Sequence, residues 1–375
     1  MISKRIGYFD IARGIGILLV VLGHNDFGGI SPFLDQLIYS FHVPLFFFLS
    51  GYFINTSIPF LEFSRKRFHS VLKPYLFTIF LIYFASVSFE KMGFQTAITR
   101  IVKSLYGSTI YIDWGQLWFL PHLFVVSLYA FLYLTVVNRI GNRWMRWGLL
   151  AVTLVISFVF LRAFYPFSVS VLNREYELYG LPFNLDVVLL SGFFFILGSE
   201  ARQITPQKIY DNFFLLIAAG AGLVILNLLF PFRVDIALRV YDSILVNTAE
   251  AKLGNLLVLA LSRQIYVRAP RLAALLKYIG NISLILLLFH LPIQDFWGQK
   301  VIAVTNNFPL SILIGFIMGV VGPILIYEIF IRFNPVASFW FGRKAELPEP
   351  KELPVREERA AAGPAGAPAV EIKEQ

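Results

Sequence analysis

The sequence predicts an all-α fold, a polytopic membrane helical bundle of about ten transmembrane helices with both termini cytoplasmic. Three observations predict it. Only 15% of the 375 residues are charged, 57% are hydrophobic and the mean hydropathy is +0.70, whereas soluble domains carry about 25% charged residues. Ten apolar segments of membrane-crossing length succeed one another. Lysines and arginines gather in alternate connections between those segments, which is the orientation signal of a multi-span chain. The net charge of +9 therefore reports topology and not nucleic-acid binding. Cysteine is absent, which excludes a thiol nucleophile, a disulfide framework and thiolate metal sites.

The segments fall at about 8–26, 36–54, 71–90, 116–137, 146–165, 182–200, 212–231, 244–262, 272–292 and 308–331. The first follows Lys4 and Arg5 as a signal peptide would. Asp10 and Arg13 interrupt its start and no small-x-small site follows His24, so it reads as an uncleaved span. The eighth is the weakest, with Glu250 and Lys252 inside it. Cations follow segment two (Arg65, Lys66, Arg67, Lys73), four (Arg139, Arg143, Arg146), six (Arg202, Lys208), eight (Arg263, Arg268, Arg271, Lys277) and ten (Arg332, Arg343, Lys344). The other connections are poorer in cations or balanced by acids, which places both termini in the cytoplasm. Pro44, Pro74, Pro121, Pro292 and Pro323 imply local helix breaks, tolerable where the freed backbone faces protein or a wet cavity. Two regions result: an integral-membrane domain over 1–344, and a tail over 345–375 whose Pro, Ala, Glu and Gly predict cytoplasmic disorder.

Arg13 and His24 stand eleven positions apart with nothing ionisable between them. Eleven steps of about 100° return a helix to within about 20° of its starting direction, and cover about 16 Å of its axis. One helix therefore presents a cation near one surface and an imidazole deeper along the same face. Ionisable groups at membrane depth mark a functional site by default, although Arg13 alone would also fit snorkelling or a pair with Asp10. Neutral imidazole accepts a proton near physiological pH, which activation of a hydroxyl requires.

A hairpin through 25–36 would bring His42, in the run YSFHVPLFFFLSGYF, to the same side as His24, where two imidazoles can share a proton or orient one another. Capping of a broken helix is the plain reading of His42, and close helix packing that of Ser50-Gly51. The basic run FSRKRFHSVLKPY reads as a topogenic loop or as a phosphate site at a helix entrance, where Arg65, Lys66, Arg67 and Lys73 would meet the phosphates of an acyl carrier such as coenzyme A. Trp118 fits an interfacial belt, and the polar start of the ninth span (Gly280-Asn281-Ile282-Ser283) fits a cavity wall, with His290 near its outer end. No HExxH is present, and His69 and His122 are scattered, so no metal site is expected.

Taken in order, the Asp10-x-x-Arg13-Gly14 start, the R-x10-H spacing, FHVPLFFFLSGYF, the basic run into KPY, WFL and the late G-N-I-S…FH segment resemble the membrane acyltransferase-3 family, with a flavour of its fucose 4-O-acetylase-like branch. The resemblance covers about 6–335. It implies ten or more spans, acyl-CoA (acetyl-CoA foremost) as donor, and a hydroxyl of a cell-surface or exported carbohydrate or glycolipid as acceptor. It also implies essential roles for Arg13 and His24, and residence in the bacterial inner membrane among its lipids. The fused extracytoplasmic hydrolase domain of some members is not seen, so a two-domain acyl relay is not expected.

The combined expectation is an O-acyltransferase in which Arg13 binds donor phosphate and His24 serves as general base or transient acyl acceptor, with His42 beside it. Asn281 and Ser283 are oxyanion candidates by polarity alone. A transporter or flippase for a lipid-linked sugar is the alternative; it would favour internally symmetric halves, and no internal repeat is apparent. A histidine-type membrane acyltransferase acting on lipids or proteins is a third reading, which the early R-x10-H opposes.

Overall fold

The computed structural model describes residues 6–171, 173–204 and 207–346. Each of the ten expected segments coincides with helix. The first is α1 (Gly7–Gly23). The second is a broken pair, α2 (Pro32–Tyr39) and α3 (His42–Tyr52). α4 (Phe60–Arg67) runs through a π-turn at Phe68–Leu72 into α5 (Lys73–Ser88). After α6 (Phe94–Tyr106) come α7 (Phe119–Val137) and α8 (Arg143–Phe160). The hairpin β1 (Phe167–Val171) and β2 (Arg174–Leu178) precedes α9 (Val188–Ile204) and α10 (Phe213–Leu229). A second hairpin, β3 (Val234–Asp235) and β4 (Val240–Tyr241), leads to α11 (Ile244–Arg268). The chain then forms α12 (Pro270–Asn281), α13 (Ser283–Thr305), α14 (Phe308–Ile326) and, beyond a π-turn, α15 (Pro335–Trp340).

Among the described residues seven helical runs are long and apolar enough to cross a membrane, or eight if the α12–α13 pair counts as one. α1 and α10, at seventeen residues each, are shorter. The bundle is apolar outside and polar within. α8, α10 and α14 turn Val155, Val159, Ile217, Leu228, Leu313 and Leu325 outward, while His42, Gln116, His122, Asn247, Glu250, His290 and Gln294 are buried. Lipid replaces water around the first set, and the second set finds partners or cavities inside. The chain is an integral, multi-pass membrane protein.

Backbones meet closely where side chains vanish. A Cβ on Gly51 would strike the Phe195 carbonyl, and one on Gly198 the Phe48 carbonyl, so α3 and α9 cross in contact. Gly14 and Gly280 do the same for α1 and α12, against the Leu276 and Asp10 carbonyls. This small-residue contact is the usual way membrane helices gain dispersion attraction.

Four expectations are corrected. The ninth span is not continuous: the chain bends by 78° at Ile282, between α12 and α13. The basic run is not a loop or a helix entrance but the interior of a helical stretch over Phe60–Ser88. Pro292 and Pro323 lie inside helices, Pro44 and Pro121 sit in first turns, where a missing N–H costs nothing, and Pro74 directly follows the π-turn within the 60–88 stretch. And 94–106, read as a connection, is the amphipathic helix α6, with Phe94, Ile98 and Val102 exposed and the Tyr75 hydroxyl donating to Ser104 O. The expected tail lies outside the described residues from 347 on.

The cation-rich connections gather at one end. Arg146 pairs with Glu200, Arg263 with Asp211, and Arg343 reaches the Asn281 carbonyl. His24, the two hairpins and the 107–116 turns lie at the other end.

Candidate active site

α1 turns Arg13, Ile17, Val20 and His24 to a single cavity of about 410 Å³, their spacing of four, three and four being one helical face. α3 contributes His42, Val43, Phe46 and Ser50 to the opposite wall, and Arg67, Gln116, Trp118, Asn281 and Ser283 complete it. At the cationic end the Arg13 guanidinium donates to Asp10 Oδ1 at 3.0 Å and lies 5.2 Å from the Phe53 ring centre. Arg67 stacks over Phe63 at 5.4 Å and Phe195 at 6.0 Å.

Three histidines surround the other end. His24 closes α1; its carbonyl accepts from Gln294 Nε2 at 2.6 Å, which ties that terminus to α13. Its ring centre is 5.5 Å from that of His290 and 6.5 Å from Tyr39. His42 Nδ1 lies 2.9 Å from the Ile38 carbonyl, and His290 Nδ1 2.8 Å from the Leu286 carbonyl. A carbonyl only accepts, so each Nδ1 carries the proton and each neutral ring presents its Nε2 lone pair. The His290 Nε2 is buried without a partner.

A second cavity, about 180 Å³, reaches the same imidazoles from the opposite end of the bundle. It shares His24, His42, Val43, Gln116 and Trp118 with the first and adds Tyr39, Thr109 and the 234–238 turn. Burial pushes the Asp235 carboxyl in that turn above the usual range, against the Leu238 N–H it accepts. The turn is held by Arg239, buried and bonded to Asp186 at 2.8 Å and Asn184 at 2.9 Å, with Tyr165 over its guanidinium at 4.5 Å.

A third hollow, of about 620 Å³, opens at the cationic end and holds Arg65, Lys66, His69 and Lys73 opposite Phe339, Arg343 and Lys344. It meets the first cavity at Ser70. Lys66 pairs with Glu62 at 2.6 Å, and the Lys73 ammonium lies 3.6 Å from the Phe339 ring centre. The five cations expected to act together thus divide: Arg13 and Arg67 face the inner cavity, and Arg65, Lys66 and Lys73 face the outer hollow. Successive helical residues point about 100° apart, so a consecutive Arg-Lys-Arg run cannot share one face.

Sequence reasoning leaves Thr109, Gln294 and Arg343 without a site role, treats Gln116 only as the start of a span, and gives His290 no link to His24. One signal exists. Pro292 has no N–H for the Leu288 carbonyl four residues back, and Gln116 Nε2 donates to that carbonyl instead, at 3.3 Å. His122 belongs to the scaffold, bonded to Phe183 O and Ser191 Oγ at 3.0 and 2.8 Å. Among the described residues no group of three or more His, Asp or Glu could hold a metal ion.

A family model described as an acyltransferase domain, of the acyltransferase-3 type, matches residues 6–328. Nodulation protein NolL of Sinorhizobium fredii is 34% identical over 123 residues, which are 29% of this chain and 33% of that protein. Nodulation protein NolL of Mesorhizobium japonicum is 28% identical over 193 residues, 47% of this chain and 46% of that one. The matched stretches thus span a third to just under half the length of these relatives. No solved structure matches.

Proposed function

The chain belongs to the acyltransferase-3 family, and from that premise we propose that it is an O-acyltransferase of the bacterial inner membrane, moving an acetyl group from acetyl-CoA to a hydroxyl of a cell-surface or exported carbohydrate or glycolipid. One observation carries this reading. A cavity entered beside Arg13 and Arg67 and a second entered from the other end of the bundle meet at His24 and His42. Donor and acceptor approaching from opposite faces would find each other only there.

The donor's phosphates lie against the cations of the outer hollow and the mouth of the inner cavity, Arg65, Lys66, Arg67, Lys73 and Arg13, where charge-assisted bonds are strongest. Its thioester extends along the α1 face towards His24. His24 takes the proton of the acceptor hydroxyl as the oxygen bonds to the thioester carbonyl carbon, the C–S bond breaks, and the departing thiolate recovers the proton. A transient acyl-imidazole on His24, resolved by the hydroxyl, balances equally well. His42, with its Nε2 lone pair, is the second imidazole available to receive or relay that proton.

The test is direct. Purified full chain is incubated with labelled acetyl-CoA and candidate glycans, and an acetyl ester on the glycan is sought by mass. Ester formation supports the reading. Donor hydrolysis without any glycan ester would remove the acceptor half of it.

A further inference from the structure

We infer that the second cavity is the acceptor pocket, that it takes one polyhydroxylated six-membered ring, and that Thr109 and Gln116 are the residues that grip its hydroxyls; this rests on the acyl-transfer reading above. The cavity, of about 180 Å³, ends at His24 and His42. That is well below the roughly 300–1,000 Å³ of pockets for drug-sized ligands, so it suits a single ring.

Two of the residues that line it each hold a buried side-chain oxygen that the protein leaves without a partner, Thr109 Oγ1 and Gln116 Oε1. An unpartnered buried acceptor costs free energy comparable to a lost hydrogen bond, so such atoms persist where a ligand or water completes them. Gln116 cannot turn its amide to evade this, because its Nε2 is committed to the Leu288 carbonyl that Pro292 leaves free. Its Oε1 must therefore accept, and a hydroxyl donates. Trp118 and Tyr39 supply flat apolar walls, which match the C–H faces of a sugar ring as Thr109 and Gln116 match its hydroxyl edge. The same two walls border the imidazoles, so a ring held this way places a hydroxyl beside the proposed base.

The test separates binding from chemistry. Saturation-transfer NMR is run on the purified full chain with methyl pyranosides of glucose, galactose, fucose and rhamnose, without donor. At least one is expected to receive saturation at its ring protons. Thr109→Val and Gln116→Leu are expected to weaken that sugar's Kd about tenfold each, the loss of one hydrogen bond, while Thr109→Ser retains it. Thermal unfolding of each variant guards against misfolding; Thr109→Val exchanges only the hydroxyl for a methyl, and Thr109→Ser keeps the hydroxyl and removes the methyl. Binding of no pyranoside to the unaltered protein, or equal Kd for Thr109→Val and the parent, would overturn the assignment. Acetyl-CoA is then added: sugar that binds through Thr109 but is never esterified keeps the pocket and defeats the acyl-transfer reading instead.

Discussion

His24→Ala is expected to lower ester formation by about 10²–10⁴-fold, the usual contribution of a positioned general base, with unchanged membrane insertion. Comparison of glycan acetylation at matched expression decides it; normal acetylation in the variant would remove the imidazole from the mechanism. Arg13→Lys tests a different property. The guanidinium is braced by Asp10 at 3.0 Å and by the Phe53 ring, so a point charge in its place keeps the sign and loses the fork. The acetyl-CoA KM is expected to rise about tenfold, the worth of one charge-assisted bond. An unchanged KM would leave Arg13 a snorkelling residue. These two positions are legible in the sequence, because helical periodicity alone sets Arg13 and His24 on one face, and the cavity lining repeats that face residue by residue. Gln116 and His290 are not. What singles them out is an acceptor oxygen and a ring nitrogen left without partners after folding, and only tertiary structure creates that condition.

At the scale of elements, the helices are readable from the chain and their interruptions are not. Apolar runs report burial in lipid, which every span shares, whereas the break at Ile282 lies in a Leu- and Ile-rich stretch and carries only Gly280-Asn281 as a local cue. The helix α6 is hidden for the opposite reason: one apolar stripe on a polar helix has too little total hydropathy to register as a span. The pairing of Gly51 with Gly198 is half visible, as close packing at Ser50-Gly51, but its partner helix is not. That contact yields a prediction. Gly51→Val inserts three carbons where the Phe195 backbone already touches, and overpacking of this kind costs about 1–3 kcal/mol. Thermal unfolding in detergent should show a lowered midpoint, and an unaltered midpoint would mean that α3 and α9 can separate freely. Arg239→Met probes the other end. Removing one member of a buried, hydrogen-bonded pair strands Asp186 and costs about 3–5 kcal/mol. The 234–238 turn would loosen, so the acceptor KM should rise more than the donor KM; equal changes would show that the turn does not shape the pocket.

For the molecule as a whole, the described contacts of the C-terminal segment run two residues past Lys344. Composition predicts the end of the integral-membrane domain there, and Glu346 accepts from Arg332 Nε at 2.8 Å and gives its own N–H to the Arg332 carbonyl. Arg332 in turn binds Glu328, which accepts from the Tyr278 hydroxyl, so the segment at 342–346 is pinned through α12 and the π-turn after α14. Gly342 makes the necessary turn with φ of +68°, a conformation that a side chain would strain. Arg343 then spans two compartments: it lines the outer hollow and donates from Nη1 to the Asn281 carbonyl at 2.7 Å, at the bend that borders the inner cavity. A chain ended after Glu346 keeps all of these bonds and loses only a stretch whose composition cannot supply a core. It should insert and esterify normally. A chain ended after Phe341 loses Arg343, Lys344 and the Glu346 anchor together. It should still insert, because every membrane-length helix remains, but its acetyl-CoA KM should rise at least about tenfold, since two cations leave the hollow proposed to meet the donor. Both truncations can be assayed for insertion and for glycan acetylation across a donor titration. Equal KM in the two would show that the cations at 343 and 344 do not meet the donor. Loss of activity after Glu346 with normal insertion would show that residues 347–375 dock or regulate rather than merely follow.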